Sequence, residues 1–190
     1  MKNSRKHIDV SRLFIYYNGR VEDGLQEYNM EDRGTYIRSA IAGLAKHGCC
    51  KESSFPYHNT YAKQKPPPQC YSEASNYRIK TAMHVRTDLD EMKACLAEGF
   101  PFTFGLRLFQ SFHQAETNGG RVPMPQPHLE PATAQHSMHA MLAVGYSDPS
   151  SCFIVRNSWG QQWVSYALSF EIFYQMLTGV RRFKTKICFV

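Results

Sequence analysis

The stretch HAMLAVGYSDPSSCFIVRNSWG, from His139 to Gly160, narrows the possible folds of this chain more than any other. Two apolar runs rich in residues that suit a pleated surface flank Ser147 to Ser151, where Asp148 and Pro149 predict a turn. The expected structure is an antiparallel hairpin. Pairing Tyr146 with Cys152 carries the register to Met141 opposite Asn157 and His139 opposite Trp159. Because alternate residues share a face, His139 and Asn157 then become diagonal neighbours on one side, about 7–8 Å apart at the backbone, within reach of long side chains. The amide oxygen is placed to accept the imidazole Nδ1–H, which would hold the ring and leave Nε2 to take a proton from a nucleophile.

Taken singly, each residue is ordinary. A histidine at a strand end is commonly half-exposed surface, and an asparagine there commonly caps a turn. Together, with a tryptophan beside them at one end of one hairpin, the balance shifts from structure toward catalysis.

Elsewhere the periodicity predicts a helix over Thr35 to Lys46, with Ile37, Ala40, Ile41 and Leu44 at helical spacing and Gly48 as the stop. A second is expected over Asp88 to Glu98, with Thr87 and Asp90 as a capping pattern, Leu89, Met92 and Leu96 on one face, and Gly99 at its end. FTFGLRL alternates as a strand. Tyr57 to Cys70 reads as a loop, because Pro66, Pro67 and Pro68 remove backbone donors and fix φ. Asn118 to Gln135 is a long Gly/Pro loop leading into the histidine strand.

HAMLAVGY and FIVRNSWG closely resemble the histidine and asparagine motifs of the papain family of cysteine peptidases. SRLFIYYNGR (Ser11 to Arg20), IAGLAKHGCCKESSFPY (Ile41 to Tyr57), QCYSEASNYRIK (Gln69 to Lys80) and FPFTFGLRLFQSF (Phe100 to Phe112) resemble, in order, the matching segments of its bacterial members. The resemblance implies an α+β, papain-like, two-lobed fold: a helical lobe over 1–80 and an antiparallel, barrel-like β lobe over 81–190. By the same resemblance His139 is the general base, Asn157 orients it and Trp159 shields their bond. Gly34, after EDR, takes the place of a glycine whose backbone pairs with the substrate, although by its residues alone it is equally an ordinary helix start. Met138 replaces a small residue beside the base and would narrow the cleft. After NSWG the family continues through glycines that this chain lacks, so Trp163 and the final strand are left open, with Phe170, Phe173, Tyr174 and Leu177 also fitting a helix.

One element of the family pattern is missing. The nucleophile signature C-G-[SA]-C-[WY] lies roughly 130–150 residues before the histidine, whereas the first cysteine here, Cys49, stands only about 90 residues before His139 and follows a helix rather than starting one. Ser4 and Ser11 lie nearer the expected position, with nothing around them resembling the motif. The sequence therefore reads as an N-terminally truncated member, without the catalytic-cysteine segment and its central helix. Leu13, Phe14, Ile37 and Ile41 would line an apolar trough for that helix or a partner chain.

Composition bounds the alternatives. With 43% apolar residues and no apolar run long enough to span a bilayer, the chain is expected to form a packed globule without a membrane segment, and its polar start lacks the apolar core of a secretory signal. The net charge of +6 comes from scattered residues, apart from KNSRKH and RRFKTK, and no nucleic-acid module is recognisable. Six cysteines allow fifteen pairings; buried thiols are the default, although Cys50 and Cys70 flank the proline loop and would pair in an oxidising compartment. No zinc spacing is present, and no metal or cofactor is expected. The family function is cysteine-type peptide hydrolysis. For this chain the sequence favours an inactive homologue, with a peptide-binding pseudoenzyme or one half of a split peptidase as the competing readings. Peptide or protein ligands are the expected partners, and the compartment stays open.

Overall fold

The computed structural model describes residues 8–132, 138–160, 166–177 and 185–189, and from residue 174 onward the backbone alone. Ser4, Trp163 and the KNSRKH cluster lie outside the described residues. The chain divides into two compact units, one from Met1–Ala82 with Cys188–Val190 and the other from Met83–Ile187.

In the first unit, α1 (Arg12–Glu22) begins at Ser11, whose hydroxyl accepts from the Phe14 amide at 3.1 Å and donates to the Phe55 carbonyl at 2.6 Å. That double use makes Ser11 a helix cap. Leu13, Phe14 and Tyr17 recur at helical spacing and are buried. α2 (Ile37–His47) crosses close to α1, where a side chain at Gly19 would come within 3.2 Å of the Ala40 backbone. α3 (Pro68–Ala74) takes Pro68 as its first residue, where the missing N–H costs nothing. The loop expected to run to Cys70 therefore stops at Pro67.

The expected trough is only partly present. Leu13 and Phe14 are 3% and 0% exposed, the Phe14 ring lying 4.9 Å from that of Tyr71 on α3, so α1 finds its cover within the unit; Ile37 and Ile41 are half-buried. Arg20 is also fully buried. Its guanidinium donates to the carbonyls of Tyr16, Glu31 and Ala62 and lies 3.8 Å over the Tyr16 ring, replacing water with carbonyl dipoles and a π face.

The strand β1 (Ile79–His84) spans the boundary between the units. In the second unit follow α4 (Leu89–Ala97), β2 (Phe102–Arg107), β3 (Met138–Ser147), β4 (Cys152–Arg156), β5 (Tyr166–Ser169) and α5 (Phe170–Leu177), and β6 (Thr185–Phe189) spans the second boundary, at Ile187. The cap of α4 is Asp88 rather than Thr87, its carboxylate accepting from the Glu91 amide at 2.9 Å. Strands lie in the order β6-β2-β3-β4-β5, all antiparallel. β2 alternates as its sequence does, and Phe102, Phe104 and Phe153 pack with Phe173 of α5, ring centroids 4.6–6.3 Å apart. The ambiguous C-terminal stretch thus holds both a helix and a strand. Among the described residues no helix is long and apolar enough to cross a membrane, and no cluster of three metal-ligating side chains occurs.

All five described cysteines, Cys49, Cys50, Cys70, Cys95 and Cys152, are buried free thiols. Burial pushes the Cys50 thiol up to about 12, helped by the neighbouring Cys70, and burial also raises Cys49 and Cys70. Since a thiolate is the reactive form, iodoacetamide at pH 8 is expected to label none of these three in the folded chain and all of them in denaturant, read by peptide mass spectrometry. Rapid labelling of folded Cys50 would contradict the burial. The same shift sets a sign for stability. Above the ordinary value of 9.0 the unfolded chain releases these protons while the folded chain keeps them, so stability should fall as the pH rises through that region.

Candidate active site

The β3–β4 hairpin builds the site, and its register differs from the expected one at the tip. Ser147 pairs with Cys152, Tyr146 with Phe153 and Gly145 with Ile154, one residue away from the sequence alignment, because the turn closes through Ser151 in a left-handed conformation (φ 47°) with its amide on the Asp148 carbonyl at 3.0 Å. A bulge between Ala143 and Gly145 then absorbs the extra residue. Beyond it Ala143 pairs with Val155 and Leu142 with Arg156, which is the expected register. Continued to the open end, it sets Met141 opposite Asn157. His139 and Asn157 therefore share the face that carries the buried Met141, Ala143 and Val155.

His139 Nε2 lies 2.7 Å from Asn157 Oδ1. An amide oxygen only accepts, so Nε2 carries the proton. The same oxygen accepts from the Ser158 amide at 2.8 Å, which fixes the amide with its oxygen toward the ring. The expected donor was Nδ1; the structure uses Nε2, the nitrogen farther from the backbone, because a diagonal pair across two strands needs the longer reach. The proton-accepting role falls to Nδ1. Asn157 is 8% exposed, and its Nδ2 has no hydrogen-bond partner among the described residues.

The Trp159 indole lies 4.9 Å from the His139 ring at 38°, beside the histidine–asparagine bond. Two further rings touch it that the sequence reading did not assign: Phe112 edge-on at 5.8 Å and His113 nearly parallel (11°) at 5.8 Å. Both sit on a 3-10 helix, Gln110–Glu116, too short for a periodicity signal. Met138 opens β3 opposite Arg107. It is exposed, and its methyl group lies 3.9 Å from where Gly105 would carry a side chain, on the face away from His139. Gly34 belongs to the first unit. It adopts φ 84° and donates its amide to the Tyr16 hydroxyl at 2.9 Å, which in turn donates to Asp32 at 2.6 Å. Burial raises the Tyr16 phenol above its usual range, so it stays neutral in this role.

Residues 23–173 match the profile of the papain family of cysteine proteases, and this span contains both the histidine and the asparagine strands. The chain belongs to that family. It is 35% identical over 173 residues to an uncharacterized peptidase C1-like protein of Acanthamoeba polyphaga mimivirus, covering 85% of this chain and 53% of that protein. This chain thus spans about half the length of that curated relative. Among solved structures it is similar to xylellain, a cysteine protease from Xylella fastidiosa, at 35% identity and a TM-score of 0.80 over 94% of this chain and 69% of that one. A clostridial cysteine protease shares the fold at 16% identity, TM-score 0.68, over 96% of this chain and 47% of that one. The papain-like α+β architecture, helices with an antiparallel sheet, is accordingly the fold of this papain-family chain.

Proposed function

We propose that this chain carries the base side of a papain-type peptidase site and that, by itself, it does not cut peptides. The observation that supports the reading is the 2.7 Å bond between His139 and Asn157 beside Trp159. In this reading a thiol gives its proton to His139 Nδ1 and attacks a peptide carbonyl. The imidazolium formed is steadied through Nε2–H by Asn157, then protonates the departing amine, and water later hydrolyses the thioester. Trp159 keeps solvent off the orienting bond.

The thiol must come from elsewhere than the described cysteines. All five are buried, and burial raises three of them, the reverse of what a nucleophile needs. The side chain of Cys188 is outside the described residues. We therefore place the nucleophile on a polypeptide segment of the family type, C-G-[SA]-C-[WY], acting as this chain's partner, with a peptide as substrate.

A fluorogenic peptide assay tests this. The 190-residue chain is expected to show no turnover, and co-expression with a segment bearing that motif to produce turnover that a thiol-directed epoxide abolishes at the added cysteine. Turnover by the chain alone, lost on mutating Cys49 or Cys50, would overturn the proposal. A peptide held uncut even with the segment present would instead make the chain a binding module.

A further inference from the structure

We propose that Asn118 is a site of spontaneous covalent modification, at which the side-chain amide is lost through a cyclic imide and the turn comes to carry aspartate or isoaspartate. The dipeptide Asn-Gly occurs twice in the chain, at Asn18-Gly19 and at Asn118-Gly119. The fold treats the two in opposite ways. Imide formation needs a backbone nitrogen free to attack the asparagine Cγ, a backbone able to rotate toward it, and water to open the ring.

Asn118 and Gly119 are both exposed, in the turn that follows the 3-10 helix Gln110–Glu116. Among the described residues the Gly119 amide donates to no acceptor, and nothing lies within 4 Å of where Gly119 would carry a Cβ. The attacking nitrogen is therefore unengaged and unshielded. Gly119 and Gly120 take φ 57° and 80°, and without a Cβ on either the rotation toward Cγ meets little steric resistance. The Asn118 side chain is restrained by one exposed hydrogen bond, Nδ2 to the Arg121 carbonyl at 3.2 Å. Asn18 has none of this freedom. It is 3% exposed inside α1, its Nδ2 donates to the Phe14 carbonyl at 2.8 Å and its Oδ1 accepts from the Tyr71 hydroxyl at 3.2 Å. Gly19 is itself helical, so its amide belongs to the ladder of α1, and a Cβ there would stand 2.7 Å from Thr35 Oγ1.

In the reaction the Gly119 nitrogen bonds to Asn118 Cγ, the Cγ–Nδ2 bond breaks, and the nitrogen leaves as ammonia, taking up the proton that the Gly119 amide gave to solvent. Water then opens the ring at Cγ to give aspartate, or at the main-chain carbonyl to give isoaspartate. Either product lowers the net charge of +6 by one. Isoaspartate also adds one backbone atom and turns the carbonyl that accepts the Arg121 amide at 3.0 Å into a pendant carboxylate. That atom has to fit next to a fixed point, because Gly120 donates to the Ala115 carbonyl at 2.9 Å and accepts from the Ala167 amide of β5 at 2.8 Å.

The test involves neither His139 nor a partner thiol, so its outcome is separate from that of the peptidase proposal. The full chain is aged at mildly alkaline pH, folded or in urea, and digested with trypsin, which places the two sites on separate peptides, 13–20 and 108–121. In the folded chain, peptide 108–121 is expected to gain the mass of an acid in place of an amide while peptide 13–20 stays intact; in urea both are expected to convert. Methyl transfer by an isoaspartyl methyltransferase should detect the isoaspartate in aged folded protein and be lost in Asn118→Gln. An unconverted peptide 108–121 in the folded chain, conversion of Asn18 there as fast as that of Asn118, or methyl transfer undiminished in Asn118→Gln would overturn the proposal.

Discussion

Replacing Gly48 by alanine is expected to unfold the first unit. Gly48 ends α2 at φ 80° and ψ −151°, a backbone region essentially closed to residues with a side chain, at a strain of order 1–3 kcal/mol. A Cβ there would stand 2.0 Å from the Ala74 carbonyl oxygen and 2.9 Å from that of Tyr77. Neither can retreat cheaply. The Ala74 carbonyl accepts from the Tyr77 amide at 2.9 Å, and the Tyr77 carbonyl from the Cys49 amide at 3.2 Å, so relief of the collision breaks backbone hydrogen bonds beside three buried cysteines. Overpacking adds about 1–3 kcal/mol, and the sum is a large part of the roughly 5–15 kcal/mol that holds a domain together. Gly99 supplies the control, since it has nearly the same φ (84°) and nothing within 4 Å of an added Cβ. Urea denaturation followed by circular dichroism should show Gly99→Ala losing only the strain and Gly48→Ala losing native signal before denaturant is added. Equal midpoints for the two variants would refute the collision.

Once a thiol is supplied, His139→Ala should lower kcat by about 10²–10⁴-fold, the usual worth of a positioned general base. Asn157→Ala should cost about 10- to 100-fold, as expected when a hydrogen bond to a group that becomes charged is lost. The two must be read against stability. Asn157 is buried; alanine removes its unsatisfied Nδ2 donor but leaves the Ser158 amide and the His139 Nε2–H without their acceptor, so a modest fall in melting temperature should accompany the loss of activity. Kinetics with the partner segment in excess and a thermal melt of each variant check both halves. Full activity in Asn157→Ala would show that something other than Asn157 orients the imidazole.

Much of this geometry was legible in the sequence, for definite reasons. Strict alternation in FTFGLRL reports burial of one face, and β2 lies there; the spacing of Ile37, Ala40, Ile41 and Leu44 found α2 but, of its buried residues Ser39, Gly43 and Leu44, only the last. The diagonal placement of His139 and Asn157 agrees with the expected register because the bulge between Ala143 and Gly145 cancels the one-residue error in the tip pairing. What failed has equally physical causes. Turn length does not predict that Ser151 adopts φ 47°, so the tip pairing was misjudged by one residue. Which imidazole nitrogen meets the amide depends on the reach of the side chain, which a register cannot show. Arg20 gives no sign in the sequence of being buried, because its partners are backbone carbonyls, one of them 42 residues away. His113 was missed for a similar reason: stacking on Trp159 is a contact between distant segments, and a 3-10 turn leaves no periodic trace.

The bulge between Ala143 and Gly145 has an implication for engineering. The hairpin's two ends keep separate registers, and the one-residue difference between them is absorbed at a single point on an edge-exposed stretch of β3. A change of turn length between Asp148 and Ser150 can therefore be taken up by shifting or deleting the bulge, without sliding His139 past Asn157.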